Sequence, residues 1–147
     1  MAKKSINKIR LSNERAGYSA IFGIVSSEPA YKLSVLINQT LGSSLQNAEP
    51  VYITNGDRTT GFPRFTDKSD IPHTSLSLIQ NRSEEQHLMK KFPNIDYIVV
   101  RSIETDTIVE EEMYSSLLRS VKLVTAVFII DKERIETSVL EAIMPAY

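Results

Sequence analysis

Few side chains in this sequence combine a reactive type with a setting that could use it, and Asp96 is the first of them. It stands in Ile95-Asp96-Tyr97-Ile98-Val99-Val100, a carboxylate among β-branched and aromatic residues. A buried carboxylate needs hydrogen-bond donors, or desolvation raises its pKa, and carboxylates perturbed in this way occur in active sites. Arg64 and Arg101 are the polar groups that would join Asp96 in a small-molecule pocket at the end of the strand. The competing reading is structural, with Asp96 at the start of a strand accepting hydrogen bonds from a neighbouring loop. Spacing places no second acid, base or nucleophile beside it, so the structural role ranks first.

Other chemistry is sparse. The two histidines, His73 and His87, lie in polar stretches without helical or strand spacing. A metal site built from them with Asp67, Asp70 or Glu84 is therefore not expected, and neither is a cofactor. The chain has no cysteine, hence no disulfide, thiolate ligand or cysteine nucleophile. Gly17, Gly23, Gly42, Gly56 and Gly61 form neither a Walker-type loop nor a dinucleotide fingerprint. No Gly-x-Ser-x-Gly elbow occurs, so the sequence nominates no catalytic residue and leans away from an enzyme.

The acidic run Glu110-Glu111-Glu112 fits the first turn of a helix, where the macrodipole favours it. Gly61-Phe62-Pro63-Arg64-Phe65 is superficially like the glycine–aromatic strand of an RNA-recognition motif. It lacks the preceding basic residue, and Pro63 interrupts the strand, so Phe62 and Phe65 read better as core. The basic arm, residues 1–17, has no interleaved aromatics for base stacking and reads as a solvated tail with a short strand. With 17 basic and 18 acidic residues the net charge is −1, which gives no global attraction for nucleic acid or an anionic membrane.

The elements that must position these groups can be read from periodicity. Tyr18 to Ser26 alternates as a strand. Ser27 offers an N-cap, Glu28 and Pro29 suit a first turn, and Leu33, Leu36, Ile37 and Leu41 make a helical stripe that Gly42 ends. A strand near Val51-Tyr52-Ile53 would complete a parallel βαβ unit. Residues 54–82 read as an antiparallel meander in which Pro63 demotes its strand to an edge or a bulge. Phe92-Pro93-Asn94 stops the chain, and Ile95 to Val100 follows as a central strand apolar on both faces, with Ile95, Tyr97 and Val99 on one side. Thr107 and Glu110 form a capping box for a helix whose buried stripe is Val109, Met113, Leu117 and Val121, widened by Leu118. Leu123 to Ile130 reads as a second strand buried on both faces, closing another βαβ unit. Residues 131–147 suit a short helix capped by Asp131, with Ile135, Val139 and Ile143 inward and Pro145 at its end.

The sum is one domain spanning residues 1–147. Its expected fold class is α+β, a two-layer sandwich with a mixed, mostly antiparallel sheet and two main helices on one face, near a ferredoxin-like core with extra strands. The basic start is followed by no long apolar run, and Ala126 to Ile130 is too short to span a bilayer, so a cytoplasmic protein without a membrane partner is expected.

Several stretches carry a family resemblance. Ile24-Val25-Ser26-Ser27 with Tyr31-Lys32-Leu33, Leu36-Ile37-Asn38, Leu41-Gly42, Leu78-Ile79-Gln80-Asn81-Arg82 and Ala126 to Asp131 are similar to those of the IPExxVDY family, small proteins of Bacteroidetes bacteria. Ile95-Asp96-Tyr97 resembles the Val-Asp-Tyr end of the naming motif. Phe92-Pro93-Asn94 keeps its proline but not its isoleucine or glutamate, and the two spacer residues are absent. The resemblance implies fold and origin and carries over no functional residue.

The function expected is a non-catalytic interaction or regulatory module that forms a homodimer or meets another protein, with Tyr52, Phe62 and Phe65 on an open sheet edge or face. A small-molecule-binding or enzymatic domain with a pocket near Asp96 is the alternative, and RNA binding comes third.

Overall fold

The computed structural model describes residues 18–69, 74–103 and 111–144. The expectations for the basic arm, His73, Asp70, the Thr107–Glu110 capping box, Val109 and Pro145 lie outside the described residues.

The architecture is α+β. Six strands form one sheet in the order β2-β3-β4-β7-β1-β8, with β5 and β6 making a small separate hairpin. In chain order these are β1 (Tyr18–Val25), α1 (Ala30–Leu41), β2 (Leu45–Asn55), β3 (Arg58–Asp67), β4 (Thr74–Gln80), β5 (Arg82–Ser83) and β6 (Gln86–His87). Then come β7 (Tyr97–Ile103), α2 (Glu111–Arg119), β8 (Ala126–Ile130) and α3 (Thr137–Ile143). Taken as β1-α1-β4-β7-α2-β8, the chain traces the ferredoxin-like order, and β2 and β3 are inserted after α1 to widen the sheet.

Every pairing described within the large sheet is antiparallel, which corrects both expected parallel pairings. β7 and β8 do run parallel to one another, but β1 lies between them and pairs with both. β1 and β2 also share a direction, with β7, β4 and β3 between them. A strand–helix–strand pattern predicts a crossover; it does not say whether the crossover lands on the next position in the sheet or skips one.

α1 and α2 cover one face, over Phe22, Ile24, Leu78, Tyr97 and Val99. The other face is covered by α3 and the 81–95 segment, over Ile21, Phe62, Ile79, Ile98 and Val100. Burial on both sides explains why β7 is apolar at every early position. That strand starts at Tyr97 rather than Ile95. The Asp96 amide donates to the Ile24 carbonyl at 2.9 Å and its carbonyl accepts from the Asn81 amide at 3.0 Å, so alternation is broken there. Ile95 therefore packs on the face opposite Tyr97, in space that Gly23 leaves open: a Cβ on Gly23 would lie 2.4 Å from Ile95 Cδ1.

Three further expectations shift. Ser27 does not cap α1; Pro29 occupies the cap position without a side-chain bond, while Gly42 ends the helix at φ +69° as predicted. β3 is an interior strand, and Pro63 is tolerated because it falls opposite the register shift between Ala48 and Val51, where no ladder bond is needed. β8 is an edge strand, apolar on both faces yet half open to solvent.

The stripe predicted for α2 holds in part. Leu118 and the following Val121 are buried as expected, whereas Met113 and Leu117 are 59% and 43% exposed, and the inward positions are taken by Ser115, which is buried, and Tyr114, which packs on Phe22. Both sets have helical spacing, and the ring contact between Tyr114 and Phe22 favours the second. At the C-terminus the expectation holds in outline. Asp131 accepts from the Glu133 amide to start a short 3-10 turn, and Ile135, Val139 and Ile143 are all buried.

Candidate functional site

Asp96 and Tyr97 sit where β7 begins, beside the loop that joins β1 to α1. The Ser26 amide donates to Asp96 Oδ2 at 2.9 Å. The Tyr97 hydroxyl donates to the Glu28 carbonyl. The two adjacent side chains thus hold the same four-residue connection at its first and third residues. Ser26 is itself buried, with its hydroxyl donating to the Leu123 carbonyl at 2.8 Å and accepting from the Glu28 amide at 3.3 Å. Burial raises the Tyr97 phenol above its ordinary value, and the nearby carboxylates of Asp96 and Glu28 raise it further. A phenol held neutral is a donor, which is the role it plays against the carbonyl.

The three polar residues of the predicted pocket do not come together. Asp96 borders an open depression of about 390 Å³ with Glu28, Gln80 and Arg82. Arg64 lies on the face of β3 that carries Phe62, and its Nε donates to the Glu49 carbonyl at 2.8 Å, across the β-bulge. Arg101 lies on the opposite sheet face and toward the other end of β7, with its guanidinium carbon 4.5 Å from the centre of the Tyr114 ring. Position along the sheet separates them: Asp96 precedes β7, Arg101 is that strand's fifth residue, and Arg64 is on β3.

The expected interface residues separate as well. Phe62 is 2% exposed and belongs to the core beneath α3, and Phe65 packs against the core on the α1 face. Tyr52 alone is open, its ring laid over Gly61, where a Cβ would come within 3.0 Å of Tyr52 Cε1. Of the two aromatics that resemble an RNA-recognition strand, Phe62 is buried in the core and leaves no ring face for a base.

His87, on β6, borders a small cavity of about 50 Å³ with Thr60, Lys90 and Glu136, and its Nε2 is buried without a hydrogen-bond partner among the described residues. Among the described residues no three His, Cys, Asp or Glu side chains converge as metal ligands, and no helix is long and apolar enough to cross a membrane.

Three residues that matter most for surface and site escaped the sequence. Asn81 is fully buried and supplies three side-chain hydrogen bonds to the 81–96 segment. Tyr114 orients Arg101, and Phe128 is 52% exposed on the edge strand β8. None of them carried a readable signal; for Phe128 the reason is that an edge strand and a core strand can have the same composition. No family model matches the chain, and no curated protein is similar to it.

Proposed function

We propose that this protein is a non-catalytic interaction module that self-associates through β8. The observation that carries this reading is the contrast between the two sheet edges. β2 is guarded by Pro50, by the register shift at Ala48–Val51 and by Arg64 bonded to the Glu49 carbonyl. Among the described residues β8 has no such protection: Ala126-Val127-Phe128-Ile129-Ile130 contains neither charge nor proline, and Phe128 is half exposed beside a groove of about 310 Å³ formed with Phe92, Pro93 and Ile95. An unguarded apolar edge of this kind templates another strand.

A second copy is the favoured partner because the strand is compatible with itself. Antiparallel pairing centred on Phe128 sets Ala126 against Ile130 of the partner subunit and the two Phe128 rings side by side, with no like charges opposed. The net charge of −1 adds no general repulsion. Light scattering after size exclusion tests it. The expected result is twice the monomer mass at high concentration, and monomer only for Phe128→Lys; a wild-type chain that stays monomeric at high concentration overturns the proposal.

The bonding around Asp96 supports a structural rather than enzymatic use of that carboxylate, since its oxygen and the neighbouring phenol are committed to the β1–α1 loop. The resemblance to the IPExxVDY family stays part of this proposal, with the Asp-Tyr pair as a signature of architecture. So does a cytoplasmic location, for which the cysteine-free composition is the support.

A further inference from the structure

We propose that the groove between α1 and α2 binds the carboxylate end of an amphipathic small molecule, with Arg101 as the residue that holds the anion. The groove has a volume of about 370 Å³; Leu41, Leu76, Met113 and Leu117 are its apolar wall, hydroxyl side chains from the end of α1 and the start of β4 line the rest, and Arg101 and Tyr114 are its charged and aromatic members. That size falls at the lower end of sites for small organic ligands, roughly 300–1,000 Å³.

Among the described residues Arg101 has no carboxylate partner. It is half-buried on a strand whose cross-strand neighbours at that position are Ala20 and Leu76. The described ion pairs join Lys32 to Glu28 and Arg58 to Glu84, and neither involves Arg101. Asp67 is near enough to influence Tyr114, but its carboxylate already accepts from the Ser44 and Ser69 amides and the Ser69 hydroxyl. A guanidinium beside apolar walls that meets no carboxylate among the described residues is matched by a ligand that brings one, in the two-pronged geometry Arg favours.

Two further features fit an amphipathic ligand. Tyr114 stacks under the guanidinium and restricts its rotamers, which lowers the entropy lost on binding. Met113 and Leu117 leave apolar surface at the rim, on the stripe that helical periodicity would have buried. An alkyl chain covers those side chains while its carboxylate reaches Arg101.

The test is an NMR titration of the full chain with octanoate, and with octanol as the uncharged comparison. It is run on the wild type and on Phe128→Lys so that strand association and ligand binding are read separately. The expected result is saturable octanoate binding with shifts centred on Leu76, Arg101, Tyr114 and Leu117, and weaker binding of octanol by about 10-fold or more. Arg101→Gln weakens octanoate by a similar factor. Met113→Glu, at an exposed position that leaves the core intact, weakens it by placing a like charge at the rim. Equal binding of octanoate and octanol, unchanged octanoate binding by Arg101→Gln, or no saturable shift overturns the proposal. So does a groove whose signals move with protein concentration alone, which would assign that face to a second copy.

Discussion

The Ser26 amide and the Asp96 carboxylate, 70 residues apart, meet at 2.9 Å and tie the end of β1 to the start of β7. The adjoining bond from Tyr97 to the Glu28 carbonyl makes the pair a two-point clamp on the connection to α1. Removing an acceptor from a buried amide exposes its desolvation penalty, about 1–3 kcal/mol. Asp96→Ala is therefore expected to lower unfolding stability by that amount, Tyr97→Phe by about 1 kcal/mol, and Asp96→Asn by less than Asp96→Ala because an acceptor oxygen remains. Urea titration measures all three. A neutral Asp96→Ala would remove the structural role assigned to the carboxylate.

Asn81 organises the 81–96 segment that covers the α3 face. Its Nδ2 donates to the Phe92 and Ile95 carbonyls at 3.0 and 2.8 Å, and its Oδ1 accepts from the Met89 amide at 2.8 Å. Truncation leaves three backbone groups unpaired in a buried site, and Asn81→Ala should cost roughly 3 kcal/mol or more. Asn81→Asp cannot donate to the two carbonyls and is expected to be no better than Ala. If thermal unfolding showed Asn81→Asp close to wild type, the assigned donor geometry would be wrong.

What the sequence conveyed and what it withheld follow from the kind of information each feature carries. The stripe at Leu33 and Ile37, the Gly42 stop and the two-faced burial of β7 are local patterns, and they hold. The site needed three facts that no local pattern contains. Whether β8 ended up beside one neighbour or two decided the exposure of Phe128, and composition is blind to that. The phase of α2 accompanies a ring contact between Tyr114 and Phe22, residues 92 apart in the chain. Asn81 looked like an ordinary turn residue, because its polar groups are satisfied by carbonyls and an amide that identify themselves only once the loop has closed.

The β5–β6 hairpin turns through Glu84 and Glu85, both in the left-handed region at φ +50° and +68°. A two-residue turn of this hand favours Asn-Gly, and each ordinary residue there costs about 1 kcal/mol. Some of that cost is offset by Arg58, whose Nη2 donates to the Glu84 carbonyl at 3.4 Å and lies 3.6 Å from its carboxylate. That ion pair is exposed and contributes little. Replacing Glu84-Glu85 by Asn-Gly should raise stability by about 1 kcal/mol, read as a higher denaturation midpoint with an unchanged slope. A lower midpoint would mean that the Arg58 contact outweighs the backbone strain.

Alkaline pH offers a test of the packing behind the proposed anion groove. Burial pushes the Tyr114 phenol up to about 12 from an ordinary 10.0; Asp67 adds to the rise, and Arg101 opposes it. With the folded pKa above the unfolded one, the native state keeps a proton that the unfolded chain has released. Stability from this source is therefore complete below pH 10 and is lost as pH rises toward 12. Tyr97 acts with the same sign, whereas burial lowers the Lys132 ammonium and makes its contribution grow as pH rises toward 10.5. The difference between wild type and Tyr114→Phe isolates one phenol from the other two groups. Between pH 10 and 12 that difference should shift in favour of Tyr114→Phe by on the order of 1–3 kcal/mol. Parallel curves for the two chains would show a phenol in water, and with it a guanidinium at Arg101 free of the apolar setting on which the groove depends.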